Sequence, residues 1–174
     1  MALFATQGIA GTTTAAVAKA IGMSHGVLFL HFPKRDDLVI AVIDEFGRRL
    51  AAEFATALAE ELSVRAVLLA HLRVLAEFEP FYARLVIEGP LLPAKVRSTL
   101  AILHAAVSHR LYAAFERERE AGKTRPFARP LLFNTWIGLV HHYVVNRDLF
   151  GSGTSVIAET GDALVDHFMA MIAA

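Results

Sequence analysis

Apolar residues recur at three- and four-residue steps along almost the whole chain, and no stretch keeps a strict two-residue alternation. The pattern predicts helices throughout and an all-α fold. Leu3 and Phe4 close a first helix that Gly8 ends. Thr13 caps a short amphipathic segment reaching Ile21, with Gly22 just past its end. Ser24 caps a second short helix whose apolar positions are Val27, Leu28 and Phe32, and Pro33 stops it. A long helix then carries Leu38, Ile40, Val42, Phe46 and Leu50 toward Glu61. Ser63 opens the next, through Val67, His71, Leu75 and Phe78, and Pro80 opens a shorter one that Gly89-Pro90 ends. Ala94 to Glu120 reads as one long helix stopped by Gly122, and another runs from about Pro130 to Phe150. After the loop Gly151–Ser155, a last helix runs from Val156 to Ile172, for about nine helical pieces in all.

The texture changes near Gly47. Residues 1–46 make short, turn-rich helices, a small head; residues 47–174 make long, core-forming helices, as in a bundle. With 55% hydrophobic residues in 174, a large core is within reach. Lysine plus arginine balance aspartate plus glutamate at 17 each, which speaks against a broadly basic surface but not against a local one. Cysteine is absent, so disulfides, thiolate catalysis and thiolate metal sites are excluded, in keeping with a cytoplasmic setting. The opening residues lack the pattern of a signal peptide. The most apolar stretch, Leu131–Val145, holds Asn134, His141 and His142 and is too short to span a bilayer, so no membrane partner is expected.

The informative segment is 12–35. Two short helices joined by Gly22-Met23 have the layout of a helix-turn-helix, with Ser24 to Leu30 as the recognition helix. Val17, Ala18 and Ile21 supply a small inner face. Ser24, His25 and Gly26 stand at the exposed start of the second helix, where they can reach base edges. Lys19, Lys34 and Arg35 and two histidines lie in this segment with no acid, so a positive face hides within the neutral total. Helix starts at Thr13, Ser24 and near Lys34 offer backbone amides to phosphates.

These residues resemble the TetR family of bacterial transcriptional regulators. The shared features are Thr12-Thr13-Thr14, Val17-Ala18, Gly22-Met23-Ser24, Leu28-Phe29-Leu30-His31-Phe32 and Lys34-Arg35. Trp136–Tyr143 resembles the family's penultimate helix more weakly. Two departures stand out: Phe29 replaces the family's usual tyrosine and its hydroxyl, and only Ala2–Gln7 is present of the opening helix. The resemblance implies a phosphate contact at Thr13, base reading by Ser24, His25 and Gly26, and phosphate anchors at His31 and Arg35, with Lys34 adding charge. It also implies a homodimer that binds a near-palindromic double-stranded DNA operator and is released by a small-molecule effector, most simply a repressor. A ligand-binding helical dimer without DNA binding is the second reading, suggested by Phe29 and the short first helix.

In the second half, Phe78, Phe81, Tyr82, His104, Tyr112 and Trp136 stand among aliphatic residues and are the expected lining of an apolar ligand cavity with a few polar handles. Trp136, Val140 and Tyr143, with Leu164 and Phe168, recur at helical steps on the last two long helices and are the expected dimer interface. No His-Glu-x-x-His, no Gly-x-Ser-x-Gly and no phosphate-cradling loop occurs, so neither a metal, a cofactor nor an enzyme is expected.

Overall fold

The computed structural model describes residues 1–60 and 63–174. Among them the chain forms ten α-helices, one 3₁₀ turn and a single isolated bridge between Thr124 and Ala173. The helices are α1 Ala2–Gln7, α2 Thr14–Ala20, α3 His25–His31, α4 Arg35–Glu60, α5 Val64–Glu77, α6 Glu79–Glu88, α7 Ala94–Glu120, α8 Arg129–Val145, α9 Arg147–Phe150 and α10 Val156–Ile172. The all-α expectation holds. The expected end of the fourth helix at Glu61 lies outside the described residues.

Most boundaries follow from local chemistry. The side chains of Thr13, Ser24, Ser63 and Ser155 accept the amide protons of Ala16, Val27, Ala66 and Ala158, each fixing a helix start. One boundary corrects the expectation. The helix expected from Pro130 to Phe150 breaks at Asn146, whose side-chain amide donates to the carbonyl of His142 at 2.8 Å. That bond takes up a carbonyl at the helix end and closes α8 one turn early.

The chain divides into two compact units, residues 1–48 with 80–103, and residues 49–79 with 104–174. The expected head, 1–46, lies in the first unit together with α6 from Pro80 onward and the start of α7. In that unit Ala18, Leu28 and Leu38 form a small core from α2, α3 and α4, with Val17 and Phe32 packed against it. A second layer is aromatic. The Phe46 ring stacks on Tyr82 at 5.8 Å and meets Phe81 edge-on at 6.0 Å, and Phe4 lies 6.4 Å from Phe81.

In the second unit α10 packs on α5 and α8. Trp136 and Phe168 meet edge to face at 5.4 Å, both almost fully buried. Gly161 lets α10 approach closely: a Cβ there would lie 3.1 Å from Leu72 Cδ1. The buried carboxylate of Glu79 accepts the Ser155 hydroxyl at 2.6 Å and the amides of Val156 and Ile157 at 3.1 and 3.0 Å, anchoring the first turn of α10. Among the described residues no helix is long and apolar enough to cross a membrane.

Candidate nucleic-acid interface

Two seven-residue helices, α2 and α3, build the site, and Gly22 makes the turn between them. Its φ of +68° lies in the left-handed region that a side chain would strain. The amide of Met23 returns to the carbonyl of Ala18 at 2.9 Å and tightens the corner. Within α3 only Leu28 is buried, against Ala18 and Leu38, so every other residue from Ser24 to His31 faces outward. That is the exposure a recognition helix requires.

Each expected DNA residue has a definite place. Thr13 and Ser24 are exposed and spend one side-chain acceptor on capping, leaving the hydroxyl proton to donate elsewhere. His25 is exposed, and its Nε2 lies 3.0 Å from the Thr14 hydroxyl, a contact that ties the first turn of α3 to the first turn of α2. Gly26 is open, with nothing within reach of an added Cβ. His31, Lys34 and Lys19 are exposed.

Arg35 behaves differently from its neighbours. Its guanidinium turns inward, donating from Nε to the carbonyl of Thr12 at 3.1 Å and from the terminal nitrogen to the carbonyl of Ile9. The same turn is gripped from its other polar groups. Glu88, at the end of α6, accepts the amides of Ile9 and Ala10 at 3.1 and 2.7 Å, and the Thr12 hydroxyl donates to Gly8 at 2.6 Å. The link between α1 and α2 is thus held by an acid and a base from two other helices. Sequence offered no sign of it, since Glu88 lies 79 residues from Ile9. At the start of α4, Asp36 and Asp37 already complement the positive helix end, and Asp37 pairs with Lys95 at 2.8 Å. The hydrogen bond from Lys95 holds the Asp37 carboxyl below its usual range. The amides expected near Lys34 therefore have carboxylates beside them.

The expected ligand residues do not gather in one unit. Phe81 and Tyr82 are core of the first unit against Phe46. Phe78, His104, Tyr112 and Trp136 lie in the second. Tyr112 is covered by the Arg129 guanidinium at 4.4 Å, and His104 sits 6.0 Å from Phe133 and 5.7 Å from His141. Among the described residues of that unit, open clefts of about 400 and about 160 Å³ occur. Ser63, Arg65, Glu118 and Thr124 line the larger, Leu72, Ile157 and Gly161 the smaller, and none of the six expected residues lines either.

The expected dimer residues need correcting. Trp136, Val140, Leu164 and Phe168 have between 0% and 4% of their surface exposed within a single chain. Their apolar stripes fill the chain's own core. Tyr143 alone is half-buried, 4.6 Å from the ring of Phe150.

The core of this unit also carries a titrating group. His71 is buried, and its Nδ1 accepts the Trp136 indole proton at 3.1 Å. Burial, with the charges of His104 and His141 behind it, pushes His71 down to about 3, and burial with His104 takes His141 down to about 4. Unfolded imidazoles near 6.5 take up protons that these refuse, so stability is full above about pH 6.5 and falls as pH drops toward 4, by about 1.4 kcal/mol per pH unit for each group. The thermal midpoint is expected to fall between pH 7 and pH 5. His71→Gln keeps an acceptor for Trp136 without titrating and should flatten the fall; a wild-type midpoint that does not change would contradict the assignment.

Known proteins share this arrangement. Residues 1–42 match the model of bacterial regulatory proteins, tetR family, a span that covers α1, α2, α3 and the start of α4. No curated protein matches the chain. Among solved structures, the TetR family transcriptional regulator PfmR from Thermus thermophilus is similar at TM-score 0.77 and 21% identity, covering 97% of this chain and 93% of its own. A TetR family regulator from Agrobacterium tumefaciens is similar at TM-score 0.79 and 18% identity, covering 99% and 92%. A structure described as superantigen PfiT is similar at 0.74 and 22%, covering 99% and 90%. The resemblance read from the motif thus holds: the N-terminal segment is of TetR type, and the whole chain has the fold of TetR-family transcriptional regulators.

Proposed function

We propose that this chain, TetR-type in its N-terminal segment and in its fold, is a ligand-responsive transcriptional repressor that binds a near-palindromic operator as a homodimer in the cytoplasm. Helix α3 carries this reading: seven residues with five outward-facing side chains and the open Gly26, held by one buried leucine on a helix-turn-helix core. A seven-residue helix with that much exposure gains little from folding alone, and a duplex groove is the partner its shape fits. Thr13, Ser24 and His31 are exposed and offer hydrogen-bonding groups to phosphates, and the exposed Lys19 and Lys34 offer positive charge.

Two copies meet, in this reading, through the faces that α8 and α10 leave exposed. On α8 these are Leu131, Thr135, Gly138, His142 and Val145, which recur at helical steps and therefore share a side. An effector bound in the second unit acts by favouring a dimer whose heads are wrongly spaced, which requires unequal affinity for the two states. The test is binding to duplex DNA itself, with its salt dependence as the readout.

A further inference from the structure

The outward face of α3 is apolar. Leu30 is 78% exposed, Phe29 54% and Val27 42%, and Ile21 and Met23 of the preceding turn are 58% and 37% exposed. Gly26 and Leu30 are four residues apart, one above the other on the side opposite buried Leu28, so the centre of the face holds no hydrogen-bonding side chain. Such groups stand only at its margins, where His25 already contacts Thr14. Exposed apolar side chains in such density need a cover. In a major groove the one apolar group on a base edge is the thymine C5-methyl.

We propose that Val27 and Leu30 read the operator by packing on thymine methyl groups, so that recognition at these positions is apolar and selects T·A pairs by their methyls. The inference rests on the DNA-binding reading above and adds to it how sequence is chosen. Lys19 and Lys34 flank α3 in the chain, both exposed and with no acid between them, which favours a polyanionic duplex over an apolar protein surface as its cover. Phe29, lacking a hydroxyl, adds apolar area beside them.

The experiment selects duplexes from a random pool with the full chain, then replaces each thymine of the selected half-site by deoxyuridine. That change removes the methyl and leaves the pairing edge intact. Affinity is expected to fall about fourfold for each contacted methyl, the worth of one buried methyl-sized group. Leu30→Gln and Val27→Ser, both at exposed positions, should erase the difference between thymine and uracil while leaving the melting temperature unchanged. Uracil tolerated at every position overturns the proposal, as does selection without a sequence preference, and both leave DNA binding standing. A Leu30→Gln variant that changes only self-association, with thymine discrimination intact, makes the face an interface and also overturns it. No binding to any duplex removes the DNA-binding reading itself.

Discussion

Phe168→Glu is expected to unfold the second unit and not to release a folded monomer. Phe168 is 1% exposed and meets the edge of Trp136, itself without exposed surface. Trp136 in turn donates to His71, so the three side chains from α10, α8 and α5 form one packed junction. Emptying a buried phenyl site costs about 3–5 kcal/mol. Placing a carboxylate there adds the cost of an unpaired buried charge, against a total stability of about 5–15 kcal/mol for a domain. Circular dichroism should show lost helicity and no cooperative melt at 25 °C. A stable variant of wild-type helicity that sediments as a monomer would return Phe168 to an interface.

Arg35→Ala is expected to loosen the head while leaving the salt dependence of DNA binding unchanged. Its guanidinium is engaged with the carbonyls of Ile9 and Thr12, in a turn whose Ile9 and Thr12 are both buried. Hydrogen bonds from a charged donor are worth about 1.5–3 kcal/mol each, and the carbonyl of buried Ile9 would lose its partner. Amide exchange across residues 8–12 should accelerate by two orders of magnitude or more, and affinity for every duplex should fall because the start of α2 is no longer fixed. Glu88→Gln, which weakens the same turn from the opposite charge, should act in the same direction. The contrary result is an unchanged exchange rate with a salt slope reduced by about one unit per chain, which is the signature of a phosphate anchor.

Much of this was legible in the residues because the signals are local. Thr13, Ser24, Ser63 and Ser155 each announce a helix start with their own side chain, and Gly22 and Gly122, both at positive φ, announce ends. The helix-turn-helix was readable for the same reason, since its demands all fall within 24 residues. What escaped is long-range. Arg35 follows Lys34 in a basic run, and nothing near it in sequence says that it turns toward a carbonyl 26 residues back. The stripe at Trp136, Val140, Leu164 and Phe168 has the same spacing whether it faces a partner or its own core. Only the arrival of α5, which brings His71 to Trp136, decides it. The break at Asn146 was missed because asparagine inside an apolar run reads as a tolerated polar residue until its side chain is seen on the carbonyl of His142.

Whether α2 and α3 present a DNA-binding face is decided by titrating the full chain against a fluorescent duplex from the region flanking its own gene, across a range of potassium chloride concentrations. Saturable binding is expected, with a binding constant whose logarithm falls linearly with the logarithm of salt, as displaced counterions require. Lys34→Ala and Lys19→Ala, both exposed, should each flatten that line by about one unit per chain, and Arg35→Ala should not. Absence of binding at low salt, or a slope that neither lysine substitution alters, would contradict this DNA-binding role.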